Sequence, residues 1–187
     1  QDYNVGRGCA VVNIIRTLPV GHPFNLRNEP YDVLLAVDEV YNSYDTPDTI
    51  RVLEERYPNS VFKNKLIYPD ASGKSRKSVN ATISDIWLMK QAGYRIMKKN
   101  KNPSIKDRIA SANAAFLNGL GERRAYIDIE RCPRYADGLT QQVYDSNGLP
   151  AKGESEFDDV TDAGTYPINY IFPIKRPAMH TADLGGT

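Results

Sequence analysis

The sequence contains little of what most zinc centres and nucleophilic active sites use. It has two histidines, His22 and His180, and two cysteines, Cys9 and Cys132, with no CxxC spacing. This scarcity argues against a His-based triad, a zinc site and a disulfide framework, and it is typical of proteins from a reducing cytoplasm. No apolar run approaches the roughly 18 residues of a membrane span, so the sequence predicts no membrane contact, and no signal peptide is visible.

A complete phosphate-binding loop is also missing. Gly73-Lys74-Ser75 resembles the end of a P-loop, but Tyr68 stands where that motif needs a second glycine. Without that glycine the backbone N–H groups do not curl around a phosphate, which argues against an ATPase.

What is present suits a folded domain. A chain of 187 residues with 41% hydrophobic and 25% charged residues is long enough, and apolar enough, to bury one substantial core. The net charge is only +1, so a nucleic-acid surface would need local clustering of cations. We expect one domain over residues 1–173 and an extended or flexible tail over residues 174–187. Because the sequence begins inside a strand-like segment without methionine, we interpret it as excised from a longer chain.

Hydrophobic periodicity predicts strands that alternate with helices after a β-rich start. The predicted strands are 2–15, with a turn at Gly6-Arg7-Gly8, then 31–41, 66–68, 94–97 and 125–129. The predicted helices are 46–57, 82–92, 105–120, 134–144 and 158–172, the last weakened by Pro167. This alternation predicts an α/β sheet with helices packed on both faces. The apolar residues that we expect the first three helices to bury are Ile50, Leu53 and Tyr57, then Ile83, Ile86 and Trp87, then Ile105, Ile109, Ala112 and Phe116.

The stretch 66–78 combines a short apolar strand, an acid and a basic loop. The strand ends at Asp70, where open α/β sheets place their chemistry, and Lys74, Arg76 and Lys77 follow among serines and a glycine. One hypothesis makes Asp70 a metal ligand and the three cations contacts to a phosphate backbone. The alternative is a strand-to-helix turn with solvated charges, and the residues alone favour neither.

Three carboxylates occupy positions that can converge in such a sheet. Asp2 begins the first strand, Asp70 ends the central one, and Asp162 lies on the last helix, on the same face as Asp159 three residues earlier. Clustered acids repel one another unless cations neutralise them, and an all-oxygen site suits Mg²⁺ or Mn²⁺. Two such ions about 4 Å apart can hold the attacking and leaving oxygens of a phosphodiester.

Each acid also has a purely structural interpretation. Asp158 and Asp159 fall in the first turn of a helix, where they complement its dipole, and Asp2 can be a solvated side chain near the start of the sequence. Asp38 and Glu39 are neighbours on a strand, so we expect one to point inward and the other to water. The residues alone therefore predict a soluble α/β domain with a candidate metal site.

Five segments spread along the chain match, in order, the motifs of one family. They are Asp2-Tyr3-Asn4-Val5-Gly6, Val37-Asp38-Glu39-Val40-Tyr41, Tyr68-Pro69-Asp70-Ala71-Ser72-Gly73, Asn102-Pro103-Ser104-Ile105-Lys106-Asp107-Arg108-Ile109 and Asp158-Asp159-Val160-Thr161-Asp162-Ala163. They resemble the opening strand, the third strand, the second catalytic motif, the Asn-Pro…Arg-Ile helix start and the closing Asp-His-x-x-Asp-Ala motif of the nuclease domain of tailed-phage large terminases. The resemblance spans nearly the whole chain.

The resemblance implies an RNase H-like mixed sheet and a metal-dependent endonuclease that cuts concatemeric double-stranded DNA during headful packaging. It implies the cytoplasm of a host bacterium as the location. The implied partners are DNA and, in the full protein, a preceding ATPase motor domain, a portal protein and a small terminase subunit. We expect the isolated domain to be a monomer.

The resemblance also assigns roles to the acids. Asp2, Asp70 and Asp162 become the catalytic residues that hold two Mg²⁺ or Mn²⁺ ions. Asp159 stands where the family often has histidine, so it is either a fourth metal ligand or a residue that orients a ligand or a metal-bound water. Glu39 and Asp158 are secondary candidates. Lys74, Arg76 and Lys77 are the candidate DNA contacts.

Two alternatives stay open at this point. One is another RNase H-like nuclease or a transposase-type recombinase with the same metal site. The other is a catalytically silent RNase H-like module that docks DNA or a protein partner and carries the acids only as surface charge.

Overall fold

The computed structural model describes residues 8–69, 84–97, 102–146, 149–151 and 157–174. In these ranges the strands are β1 (Gly8–Leu18), β2 (Tyr31–Ser43), β3 (Leu66–Ile67), β4 (Arg95–Ile96) and β5 (Ala125–Ile127). The helices are α1 (Thr46–Arg56), α2 (Asp85–Gln91), α3 (Ile105–Phe116), α4 (Pro133–Thr140) and α5 (Asp158–Ile171). The predicted turn at residues 6–8, except for Gly8, and the predicted tail, except for Ile174, lie outside these ranges.

The strands form a three-stranded sheet in the order β1-β2-β5 and a two-stranded sheet of β3 and β4. β1 pairs with β2 antiparallel, whereas β2 pairs with β5 in parallel, so the larger sheet is mixed. The long β1–β2 hairpin follows from the β-branched run of β1 and from the Pro- and Gly-containing loop between Leu18 and Tyr31. Among the described residues β1 pairs with β2 alone, and residues of β1 and β3 line a common cavity of about 370 Å³.

A bulge in β2 changes the direction of its side chains. The pairing with β1 skips Val37, so this residue is inserted without a partner. Because side chains alternate along a strand, the insertion puts Ala36 and Glu39 on one face and Asp38 and Val40 on the other. The apolar clusters agree, since Ala36 and Val40 belong to different ones.

Helices cover both faces of the larger sheet. On one face α1 and α2 pack through Leu53 and Met89 into a cluster that includes Val40. On the other face α4 and α5 pack through a cluster that includes Tyr135 and Val160, and α3 and α5 pack through a second cluster that includes Ala112 and Ile168. The predicted α/β class, with a mixed sheet and helices on both faces, is confirmed, and it is compatible with the RNase H-like arrangement that the motifs imply.

Two glycines let α4 and α5 approach each other closely. A Cβ atom on Gly164 would overlap the Tyr135 ring, and one on Gly138 would overlap the Thr161 hydroxyl. The contact buries Tyr135 completely, with 1% of its surface exposed. It fixes α5 firmly in the core despite Pro167, which interrupts one hydrogen bond of the helix without ending it.

Several sequence-based boundaries and faces are wrong. α3 ends at Phe116 instead of residue 120, because Leu117 takes extended backbone angles and the Asn118 side chain then organises a turn. α4 ends at Thr140 instead of residue 144. Trp87 was expected to be buried but is 47% exposed, and Met89 of the same helix is buried in the core instead. Within the described ranges, no helix has the length and apolar character that crossing a bilayer requires.

A bidentate ion pair ties the β1–β2 loop to the segment before β5. Nε and Nη2 of Arg27 each donate to one carboxylate oxygen of Glu122 at 2.8 Å, and Nδ2 of Asn118 donates at 2.9 Å. Glu122 is 7% exposed. These donors, above all Arg27, lower the pKa of the Glu122 carboxyl to about 2.

We predict that Glu122→Gln removes a part of the stability that depends on pH. The folded-state pKa of about 2 lies below the ordinary value of 4.5, so the stabilisation is complete above about pH 4.5 and is lost as the pH falls through about 2. In urea unfolding, the difference in free energy between the parent and the variant should shrink as the solution is acidified. A pH-independent difference would contradict this. Glu29→Gln is the control, because Glu29 is 71% exposed and 3.6 Å from Arg27.

Candidate functional site

Helix α5 carries the predicted acids on one partly exposed stripe. Asp159, Asp162, Tyr166 and Tyr170 follow one another at helical spacing and are each partly exposed, whereas most of the remaining helix is buried. The prediction that Asp159 and Asp162 share a face is confirmed. Asp158 and Asp159 lie in the first turn, which has no side-chain cap, so their charges complement the helix dipole as expected.

Asp162 is paired with an arginine of α3. Nη2 of Arg108 lies 2.6 Å from Oδ1 of Asp162, with 6% of the Arg108 side chain and 29% of the Asp162 side chain exposed. The same guanidinium stacks on the ring of Tyr166, with Cζ 4.7 Å from the ring centroid. Arg108 therefore sits between two neighbours of the α5 stripe and leaves part of the Asp162 carboxylate open to solvent.

A second polar contact crosses the same interface two turns along α5. Nδ2 of Asn169 donates to Oγ of Ser111 at 2.9 Å, and both residues are buried. Oγ of Ser111 in turn donates to the carbonyl oxygen of Asp107. Together with the Arg108–Asp162 pair, this contact fixes the register of α5 against α3. Any other register would leave these buried polar groups unpaired, which would destabilise the fold.

The apolar residues of α3 do not predict which face of the helix is buried. Ile105 and Ile109 were expected in the core, yet both are only half-buried. The buried face consists instead of Arg108, Ser111, Ala112 and Ala115. The available signal was the stripe of small residues at helical spacing that begins with Arg108, since small side chains let a second helix approach closely.

Asp38 and Glu39 lie on opposite faces, as expected, but neither is left to water. The Glu39 carboxylate accepts from the backbone N–H groups of Arg134 and Tyr135 at 2.9 Å each, and so caps α4, whose own N-cap residue provides no side-chain bond. Asp38 accepts from Arg56 and from the hydroxyl of Tyr57 at 2.8 Å. Strand alternation directs one acid to each layer of helices, and the bulge at Val37 determines that Glu39 is the one that faces α4.

We predict that Glu39→Ala lowers the free energy of unfolding by about 1–2 kcal/mol, because it removes a helix cap. Glu39→Gln should cost less, since an amide oxygen still accepts a hydrogen bond but no longer complements the helix dipole. Urea unfolding measures both. An Ala variant as stable as the parent would contradict the capping role, and Glu55→Ala, at a side chain that is 62% exposed, serves as the control.

Two of the three predicted catalytic acids lie outside the described residues. Asp2 and Asp70 fall there, and so do the predicted DNA contacts Lys74, Arg76 and Lys77. In the part of the chain that the structure describes, no group of three or more His, Cys, Asp or Glu side chains has the arrangement of a metal site. Of the predicted metal ligands, the described part contains Asp162 and Asp159, both on α5.

The end of β3 lies against α5. The rings of Tyr68 and Tyr170 meet edge to face, with centroids 5.1 Å apart at an interplanar angle of 61°. Burial, with a smaller contribution from Tyr170, raises the pKa of Tyr68. Tyr68 also lines the cavity between β1 and β3 together with Ala163 and Pro167. The segment just before Asp70 and the helix that carries Asp162 therefore border the same cavity.

The donor chemistry of α5 suits a hard divalent cation. Carboxylate oxygens are the ligands that Mg²⁺ and Mn²⁺ prefer, and the partial exposure of Asp162 leaves it within reach of a cation from solvent. The thiols are unsuited to metal binding, because the side chains of Cys9 and Cys132 are fully buried in the apolar core. Burial raises the pKa of Cys132 to about 12, which keeps it protonated.

No protein-family model and no curated protein matches the chain. Among solved structures, it matches a crystal structure of the nuclease domain of g2p, the large terminase of bacteriophage SPP1, with bound Mn. The match covers 88% of this chain and 80% of that one, at 20% sequence identity and a TM-score of 0.46. The chain is similar in structure to a phage terminase nuclease domain.

Proposed function

We propose that this chain is a metal-dependent DNA endonuclease of the terminase type, which cuts concatemeric double-stranded DNA. The observation that carries the proposal is the contact of Arg108 with Asp162. Arg108 belongs to the Asn-Pro…Arg-Ile motif and Asp162 to the closing acidic motif, and both motifs were identified from the sequence alone. Two segments far apart in the chain thus meet at a partly exposed carboxylate of the kind that the nuclease site requires.

A second observation supports the proposal. The contact of Tyr68 with Tyr170 brings the residues just before Asp70 to the helix that carries Asp162. Carboxylates from the end of a strand and from a neighbouring helix are a suitable oxygen set for two Mg²⁺ or Mn²⁺ ions.

In the proposed mechanism Asp2, Asp70 and Asp162 would hold two divalent cations, which would supply water activation and charge stabilisation for a leaving 3′ oxygen. Asp159 would orient a neighbouring ligand of this site from its position one turn before Asp162. Glu39 acts indirectly, through the cap that positions α4 against α5.

We predict that Asp70→Asn, Asp162→Asn and Asp2→Asn each reduce Mn²⁺-dependent plasmid cleavage by at least about 100-fold, because removing a direct ligand costs more than removing a group that only orients one. Glu55→Gln, a distant exposed carboxylate, should cleave like the parent. Circular dichroism checks folding, since Asp162→Asn also leaves Arg108 without its counter-charge. Parent-level cleavage by the Asp70 and Asp162 variants would refute the assignment.

The basic loop is the proposed contact to the DNA backbone. Neutralising Lys74, Arg76 and Lys77 together should flatten the plot of log binding constant against log salt concentration by up to about 2.7, or about 0.9 for each phosphate that the protein no longer neutralises. Fluorescence anisotropy with a labelled duplex, read at several salt concentrations, measures the slope. If the slope does not change, the loop does not touch the DNA.

A catalytically silent module is the second candidate, and one observation favours it. The Asp162 carboxylate already has a cationic partner in Arg108, as a purely structural acid would. The two candidates differ in their response to metal, because a cation that binds only the folded state raises the melting temperature. A silent module should show no Mn²⁺-dependent rise, whereas the nuclease should show one that Asp162→Asn abolishes.

A further inference from the structure

We propose that Arg108 is a positioning residue, which holds the Asp162 carboxylate so that its second oxygen is available to a divalent cation. The inference rests on the proposed function, because it assigns Arg108 a role in the same site.

The geometry of the pair differs from that of a structural ion pair in the same fold. Arg27 engages both oxygens of Glu122, through Nε and Nη2. Arg108 approaches Asp162 through Nη2 and Oδ1, its Nη1 makes no hydrogen bond among the described residues, and the Asp162 side chain stays 29% exposed, compared with 9% for Glu122. The carboxylate of Glu122 is enclosed by its arginine, whereas the carboxylate of Asp162 keeps room for a further ligand.

Asp162 and Tyr166 immobilise the guanidinium of Arg108. Tyr166 stacks on it from α5, one turn after Asp162, and only 5% of Arg108 is exposed. The arginine therefore has little freedom to follow a moving carboxylate. It fixes the rotamer of Asp162 instead, which a flexible cation at the surface would not do.

Energetics argue against a purely stabilising role. Nη1 of Arg108 is fully buried and finds no hydrogen-bond acceptor among the described residues. A buried charge with an unsatisfied nitrogen is a poor contributor to stability, and well-packed apolar residues often do as well in its place. An arginine in this position is better explained by its effect on the orientation of the Asp162 carboxylate than by a contribution to folding stability.

Arg108 also solves an electrostatic problem of the acidic stripe. Asp159 and Asp162 share a face, and like charges at this spacing repel each other. A cation on Oδ1 reduces this repulsion before any metal arrives. Partners that hold a ligating carboxylate from outside typically contribute a factor of about 10–100 to metal affinity.

The test is Mn²⁺ affinity, measured from the electron paramagnetic resonance signal of free Mn²⁺ at increasing protein concentration. We expect Arg108→Gln to weaken binding by about 10–100-fold. Arg108→Lys should recover part of the affinity, because lysine restores the charge but not the planar fork. Arg27→Gln is the matched control, which breaks an ion pair elsewhere and should leave Mn²⁺ affinity unchanged.

Asp162→Asn separates this inference from the proposed function. If that variant binds Mn²⁺ as the parent does, the metal site itself is wrong. If it fails to bind Mn²⁺ while folded Arg108→Gln keeps the parent's affinity, the site stands and the positioning role is overturned. Should Arg108→Gln fail to fold, Arg108→Lys decides: intermediate affinity supports the role and parent affinity overturns it.

Discussion

The burial of α5 constrains everything that its carboxylates can do. The helix packs against α3 through Arg108–Asp162 and Ser111–Asn169, and against α4 through the close approach at Gly164. With these faces occupied, a single stripe remains partly exposed, and it is the stripe that bears Asp159 and Asp162. Because both the rotation and the register of the helix are fixed, the backbone holds Asp159 and Asp162 about one turn apart on the same face. A site that must hold cations needs this kind of enforced proximity.

The position of α5 depends in turn on a small irregularity in the sheet. The bulge at Val37 sends Glu39 toward α4, and the Glu39 carboxylate caps the N-terminus of that helix. The capped turn contains Tyr135, whose ring fills the space that Gly164 leaves on α5. One inserted residue in β2 is therefore linked to the orientation of the acidic stripe through two contacts. Through this route Glu39 supports the position of α5, although it lies on a strand.

Much of this architecture could be predicted from sequence because it depends on local patterns. The start of α1 follows from Pro47 at the first turn, with Asp45 as the cap, and the shared face of Asp159 and Asp162 follows from helical spacing alone. The burial of Arg108 could not be predicted in this way, since a charged residue is normally exposed and its partner lies on another helix. The bulge at Val37 and the double use of Glu39 depend likewise on the pairing of distant segments, which no local pattern records.

The most direct test of the account is the anomalous density of Mn²⁺ in soaked crystals. We expect ions bound by the carboxylates of Asp2, Asp70 and Asp162, with Nη2 of Arg108 still on Oδ1 of Asp162. Manganese bound away from α5, or Asp162 held by Arg108 with no ion on its other oxygen at saturating metal, would contradict it.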